Sequence, residues 1–203
     1  IQINQADKVG ATPLSVACQN SRVDVVQLLL AREEIQINLV DKNGHSLLHI
    51  AWQNSCVDIV RLLLTSKDIQ INQALNNGVT LLYITCQNGH VDVVQLLLAR
   101  KDIQINQALN DGTTPLFITC QNGHVDVVQL LLARKDIQIN QALNNEVTPL
   151  YITCQNGHVE IVRLLLARKE IQINQAREGG FTPLYVACQN SRVGIVRLLL
   201  TSK

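Results

Sequence analysis

Residues 103–136 read IQINQALNDGTTPLFITCQNGHVDVVQLLLARKD, and residues 69–102 repeat them except at four positions: Asn77/Asp111, Val79/Thr113, Leu81/Pro115 and Tyr83/Phe117. The opening phrase Ile-Gln-Ile-Asn begins at Ile1, Ile35, Ile69, Ile103, Ile137 and Ile171, a step of 34 residues each time. Six copies fill the 203 residues, the last shorter by one. A fixed period of this length is the signature of stacked supersecondary units, each too small to bury its apolar face alone. One array over residues 1–203 is therefore expected, with repeats 1–34, 35–68, 69–102, 103–136, 137–170 and 171–203. Ile1 opens inside a repeated phrase, so the array is expected to be a fragment of a longer protein.

Each copy has an internal plan, clearest in the fourth. Asn110-Asp111-Gly112 signals a turn, because Gly reaches positive φ without a Cβ penalty. Thr114 is placed to cap a helix with Pro115 at its first position, where a missing N–H costs nothing. That helix should run to about Gln121, break at Asn122-Gly123, and be followed by a second from about Val125 to Ala133. In the second helix Val125, Val128 and Leu132 share one stripe and Val127 and Leu131 an adjacent one. This apolar arc is too wide for a one-sided surface helix, which predicts packing between neighbours. Helices of about two turns do not recover their nucleation cost alone, so stability must come from stacking.

Composition agrees. The chain is 47% hydrophobic, 16% charged and only 3% aromatic, which suits an aliphatic core between short helices. A formal net charge of +1 provides no field to gather phosphate backbone, so no nucleic acid partner is expected. The apolar runs, such as Leu28-Leu29-Leu30, are far shorter than the roughly 20 residues of a membrane span, so no direct membrane insertion is expected. Five of the six Cys (Cys18, Cys86, Cys120, Cys154, Cys188) recur at one repeat position, which reflects duplication rather than a disulfide framework. Reduced thiols and an intracellular, cytoplasmic location follow as the expectation.

The period alone points to tetratricopeptide repeats, but the residues do not. Gly10-Ala11-Thr12-Pro13-Leu14-Ser15-Val16-Ala17 and Gly180-Phe181-Thr182-Pro183-Leu184-Tyr185-Val186-Ala187 resemble the ankyrin phrase Gly-x-Thr-Pro-Leu-x-x-Ala. Gly89-His90-Val91-Asp92-Val93-Val94-Gln95-Leu96-Leu97-Leu98 is similar to that family's second half. The resemblance covers the whole chain and implies an all-α fold: an ankyrin-type solenoid of stacked antiparallel helix pairs with hairpin-like loops. Departures are specific. One extra residue sits in the loop Ala99-Arg100-Lys101-Asp102. Leu47 and Leu81 replace the Pro, and Glu146 replaces the turn Gly, which predicts a strained tip. The family's His after Thr-Pro-Leu persists only as His49; Ser15, Tyr83, Phe117, Tyr151 and Tyr185 stand elsewhere.

Cys86/His90, Cys120/His124 and Cys154/His158 have ligand-like spacing, but zinc needs about four converging ligands, and each pair spans a helix break. Packed thiols and structural histidines are expected, with Cys56 more reachable. No metal or other cofactor is expected. Ser, His and Asp recur in every copy instead of forming one singular constellation, so no catalytic site and no enzyme activity are expected. The recurring Arg100-Lys101-Asp102, Arg134-Lys135-Asp136 and Arg168-Lys169-Glu170 read as a solvated loop edge.

The resemblance therefore implies a protein-binding scaffold whose partner lies on the concave face and hairpin tips. The residues expected there are Lys8, Lys42, Asn43, His45, Asn76, Asn77, Val79, Asn110, Asp111, Thr113, Asn144, Asn145, Val147, Glu178 and Phe181, the positions around which the copies differ most. His45 and Phe181 are the distinctive anchors. Gln-Asn recurs unchanged from Gln19-Asn20 to Gln189-Asn190, either because Asn suits the turn or as an amide ladder for an extended partner. The alternatives are a structural or tethering array of a larger membrane or cytoskeletal protein, or an engineered repeat. Ile1, Ile3, Leu199 and Leu200 have interior character, which predicts exposed apolar end faces filled by further repeats or by end-to-end self-association.

Overall fold

The computed structural model describes residues 1–202 and contains twelve helices in that span. They are α1 Pro13–Gln19, α2 Val23–Leu30, α3 Leu47–Gln53, α4 Val57–Thr65, α5 Leu81–Asn88, α6 Val91–Leu98, α7 Pro115–Asn122, α8 Val125–Leu132, α9 Pro149–Asn156, α10 Val159–Leu166, α11 Pro183–Gln189 and α12 Val193–Thr201. No strand forms among the described residues; the isolated bridges Ala74–Thr80 and Arg177–Phe181 mark two hairpin-like loops. None of the described helices is long and apolar enough to cross a membrane.

The capping chemistry read from sequence is in place. Thr114 accepts a hydrogen bond from the Phe117 amide (3.1 Å), and Thr148 does the same for Tyr151 (3.1 Å). Thr12 and Ser15 form a reciprocal pair in which each hydroxyl accepts from the other's amide. Gly123 and Gly157 end α7 and α9 in the left-handed region. Ser21, Ser55 and Ser191 take the same conformation without glycine's freedom. So does Glu146 at its tip, with φ 65°, as the missing glycine required.

Two compact units make up the chain. The first comprises residues 1–81 and 95–103. Within it α1 packs on α3 and α2 on α4, while α1 pairs with α2 and α3 with α4, giving one row of first helices and one of second helices. Its core includes Leu14, Val26, Leu47, Leu48, Ile59, Val60 and Leu63. The second unit comprises residues 82–94 and those from 104 onward. There α7, α9 and α11 form one row and α8, α10 and α12 the other, around Leu116, Phe117, Val127, Val128, Leu131, Leu150, Ile161, Val162 and Leu165. Each fully buried Leu or Val of this kind contributes about 1.5–3 kcal/mol through removal from water, which is what helices of seven to nine residues need.

A second device repeats along the loops. The Asn4 side chain donates to the Glu34 carbonyl (2.7 Å) and accepts from the Gln36 amide (2.8 Å), stapling one repeat to the next. Asn38 does the same to Asp68 and Gln70 in the first unit; Asn106 and Asn140 do so in the second. The Asn of Ile-Gln-Ile-Asn is thus an inter-repeat tie.

Two expectations about interior positions need correction. Leu199 is only 6% exposed, because it faces inward at the position where Leu63, Leu97, Leu131 and Leu165 are fully buried. Ile1 and Leu200 are exposed as expected, joined by Val25, Leu28 and Val193. Cys188 is exposed rather than packed, at the repeat position where Cys86, Cys120 and Cys154 are fully buried. The other four recurrent cysteines are buried, and desolvation pushes the thiols of Cys18, Cys86, Cys120 and Cys154 up to about 12.

Candidate interaction surface

At the first five tips an acid or amide side chain folds back on its own turn, a local closure typical of Asp and Asn. In the first unit Asp7 accepts from the amides of Val9 (2.9 Å) and Ala11 (2.8 Å). Asp41 accepts from the amides of Asn43 (2.9 Å) and His45 (2.8 Å), and its second oxygen meets His45 Nδ1 at 2.9 Å. Partial burial pushes the Asp41 carboxyl up. The three hydrogen bonds and the neighbouring imidazole outweigh this, and it ionises below the ordinary aspartate value. Lys8, Lys42 and Asn43 stand exposed around these closed turns. Asn76 ties back to the Lys42 carbonyl (3.3 Å), Asn77 closes the third tip by accepting from the Val79 amide (3.1 Å), and Val79 is half-buried.

Between the first two tips lies a cleft of about 440 Å3. Val9, Ala11 and Ser15 form one wall; Lys42, Asn43 and His45 form the other, and Ile50 and Gln53 of α3 close it with Asn54 at that helix's end. Three of the expected residues thus meet in one concavity. Ile50 was not anticipated, whereas Gln53 belongs to the recurring Gln-Asn pairs. The signal for Ile50 was available: it lies one position from His49, whose ring turns inward. That ring accepts or donates at Nδ1 with Ser46 Oγ (2.9 Å), and burial holds its pKa down to about 4.

In the second unit Asp111 accepts from the Thr113 amide (2.9 Å) and hydroxyl (2.6 Å), and Asn144 bonds the Asp111 carbonyl (2.9 Å) and, through its side chain, the Asn110 carbonyl (2.9 Å). Asn110, Asp111, Asn144 and Asn145 are exposed. Thr113 and Val147 are not: at 6% and 8% exposed they support the tips from beneath. Glu178 is exposed. Phe181 is half-buried in a cluster: the Arg177 guanidinium lies 4.9 Å from its ring centre and 5.6 Å from that of Tyr151, and Arg177 Nε donates to Tyr151 Oη at 3.0 Å. Tyr185 packs against Phe181 with centroids 4.8 Å apart and remains 48% exposed. A cation over two rings on a partly exposed patch suits recognition of an apolar or anionic side chain. Arg177 was not expected here, although it breaks the run Leu75, Leu109, Leu143 at the same repeat position.

The invariant Gln-Asn pairs serve the helix ends. Asn20, Asn54, Asn88 and Asn190 donate back to the carbonyl four residues earlier, whereas Asn122 and Asn156 reach the Gln87 and Gln121 carbonyls of the preceding repeat (both 2.8 Å). His124 and His158 join those same carbonyls through Nε2 (2.9 and 3.1 Å).

The family model described as ankyrin repeats (3 copies) matches residues 1–74, 67–142 and 134–203. The chain belongs to the ankyrin-repeat family. Solved ankyrin-repeat structures share its fold. An ankyrin repeat domain from Acinetobacter baumannii AYE superposes with TM-score 0.86 at 23% identity, covering 94% of this chain and 97% of that one. The ankyrin repeat protein EF0377 gives 0.87 at 22% identity over 98% and 100%. The ankyrin repeat domain of Bcl-3, described as a unique member of the IkappaB protein family, gives 0.84 at 23% over 96% and 87%. No curated protein matches the sequence. Ankyrin repeats are in general protein–protein interaction modules, and their fold is typically non-catalytic.

Proposed function

We propose that this ankyrin-repeat array is a non-catalytic scaffold that holds a protein partner against its hairpin tips and first helices. The observation carrying this reading is the contrast between near-identical helices and tips that differ, with Lys42, Asn43 and His45 gathered around one cleft. The partner surface comprises Lys8, Lys42, Asn43, His45, Asn76, Asn77 and Val79 in the first unit. In the second it comprises Asn110, Asp111, Asn144, Asn145, Glu178 and Phe181, with Thr113 and Val147 as buried supports. Six free thiols, four of them buried, suit a reducing, intracellular setting. The test is affinity capture with paired variants that retain the helical spectrum and melting temperature of the parent. Lys42→Ala/His45→Ala and Arg177→Ala/Phe181→Ala should each weaken a captured partner at least about tenfold, as expected for interface anchors. Undiminished capture by both pairs would remove the assignment.

End-to-end self-association is a second reading. It rests on Val25, which is exposed although its equivalents Ile59, Val93, Val127 and Ile161 are buried, and on the exposed Val193 and Leu200. Sedimentation equilibrium of Val25→Lys against the parent tests it: a monomer in both cases rejects it.

A further inference from the structure

A clamp forms at Arg100 and recurs at Arg168, in loops that read Ala-Arg-Lys-acid. Arg100 Nη1 donates to the Leu64 (3.2 Å) and Ser66 (2.9 Å) carbonyls of the preceding repeat, while Nε and Nη2 grip the two carboxylate oxygens of Asp102 (3.0 and 2.9 Å). Arg168 makes the corresponding bonds to the Leu132 carbonyl (2.9 Å) and Glu170 (3.0 Å). These guanidiniums satisfy carbonyls left over at the ends of α4 and α8, where the helix dipole is negative.

The second repeat has Thr65-Ser66-Lys67-Asp68 at this position, so the arginine is missing and the acid remains. The acceptors the absent side chain would meet are in place. The Leu30 carbonyl accepts no hydrogen bond among the described residues, and the Arg32 carbonyl accepts one, from the Ile35 amide. A cavity of about 850 Å3 opens there, lined among others by Leu30, Glu33, Ile37, Leu62, Ser66 and Asp68. Arg32 does not fill it: its side chain is 62% exposed and turns to Glu34 at 3.6 Å. Leu39, another lining residue, stands where Gln73, Gln107, Gln141 and Gln175 occur, and it and Val40 expose 37% and 40% of their surface.

We propose that this cavity is a receptor for an arginine side chain carried by a partner polypeptide, with an apolar residue beside that arginine resting on Leu39 and Val40. The guest guanidinium donates to the Leu30 and Arg32 carbonyls and pairs with the Asp68 carboxylate, reproducing in trans the contacts Arg100 makes within the chain. Its alkyl stem lies along Leu30 and Leu62. A planar donor fork matched to a carboxylate is the geometry that separates Arg from Lys. Around the cavity Glu33 and Asp68 are negative and Arg32 is positive, so the charge balance favours a cation.

The test uses the full chain and the capped dipeptide acetyl-Leu-Arg-amide, with citrulline or lysine in place of arginine, followed by amide chemical shifts. The arginine peptide should shift residues 30–34 and 66–68 saturably. It should bind at least about tenfold tighter than the citrulline peptide, the loss expected for a charge-assisted pair. Asp68→Asn should weaken it comparably. Ser66→Arg should fill the cavity from within, abolish peptide binding and raise the melting temperature. Equal binding of arginine and citrulline peptides, shifts elsewhere on the chain, or unchanged binding by Ser66→Arg would each overturn the proposal.

Discussion

The second and fifth repeats share one helix plan and differ in nearly every device that finishes it. Residues 137–170 carry the Thr148-Pro149 cap, a left-handed Gly157 after α9, His158 reaching the Gln121 carbonyl, and the Arg168–Glu170 clamp. Residues 35–68 have Ser46 without a side-chain cap bond, Leu47 for Pro, Ser55 forced to φ 55°, Cys56 for His and Ser66 for Arg. In exchange the second repeat bears the Asp41–His45 tip, the buried His49 and the two concave sites. The fifth repeat is built chiefly to stack; the second gives up finishing contacts and gains distinctive surface chemistry. Their cores do not differ in kind: Leu63 and Leu165 are both fully buried.

Cysteine labelling breaks the comparison most sharply. Burial raises the Cys154 thiol from 9.0 to about 12, which lowers its thiolate fraction about a thousandfold. Folded protein should therefore label the buried Cys154 far more slowly than the exposed Cys188, with the half-buried Cys56 reacting before Cys154. Mass spectrometry of time-quenched samples reads the order.

The core equivalence predicts that Leu63→Ala and Leu165→Ala each cost about 3 kcal/mol in denaturant unfolding. A clearly smaller loss at Leu63 would mean the second repeat is looser inside as well as at its edges.

Acid should act on the second repeat in particular. His49 is buried neutral, with a pKa near 4 in the fold against 6.5 unfolded, so the unfolded chain binds the extra proton first as pH falls. Its contribution is intact above pH 6.5 and is lost progressively down to about pH 4, amounting to about 3 kcal/mol. Unfolding free energies measured across that window should flatten in His49→Tyr, which installs the fifth repeat's residue.

The smallest effect runs the other way, because the fifth repeat has one flaw of its own. Glu146→Gly should stabilise by about 1 kcal/mol by relieving a left-handed non-glycine residue. Gly44→Ala, at the equivalent tip, should destabilise: φ is 82° there, and a Cβ would sit 2.7 Å from Asn76 Oδ1. Thermal melts of both variants give the signs.

The helix pairs were legible because the turn residues, Thr-Pro caps and apolar stripes are local, and one 34-residue window contains all of them. Glu146 was legible for the same reason, since a tip that needs positive φ leaves one place for the misfit. Contacts that bridge repeats were not. The reach of Arg100 to Leu64, 36 residues back, depends on the spacing of stacked helices, which no single repeat encodes. The same holds for Arg177 over Tyr151, 26 residues away. Variation among copies located the tips, yet it could not separate the exposed Asn145 from the buried Val147 two residues on, because that depends on which way the hairpin leans.

Site-specific photo-crosslinking to a captured partner tests most directly whether tips bind while second helices support. Benzoylphenylalanine at positions 43, 77 and 178 should give partner adducts, and at the exposed second-helix positions 92 and 126 it should give none. Adducts confined to 92 and 126 would contradict the assignment of the binding surface.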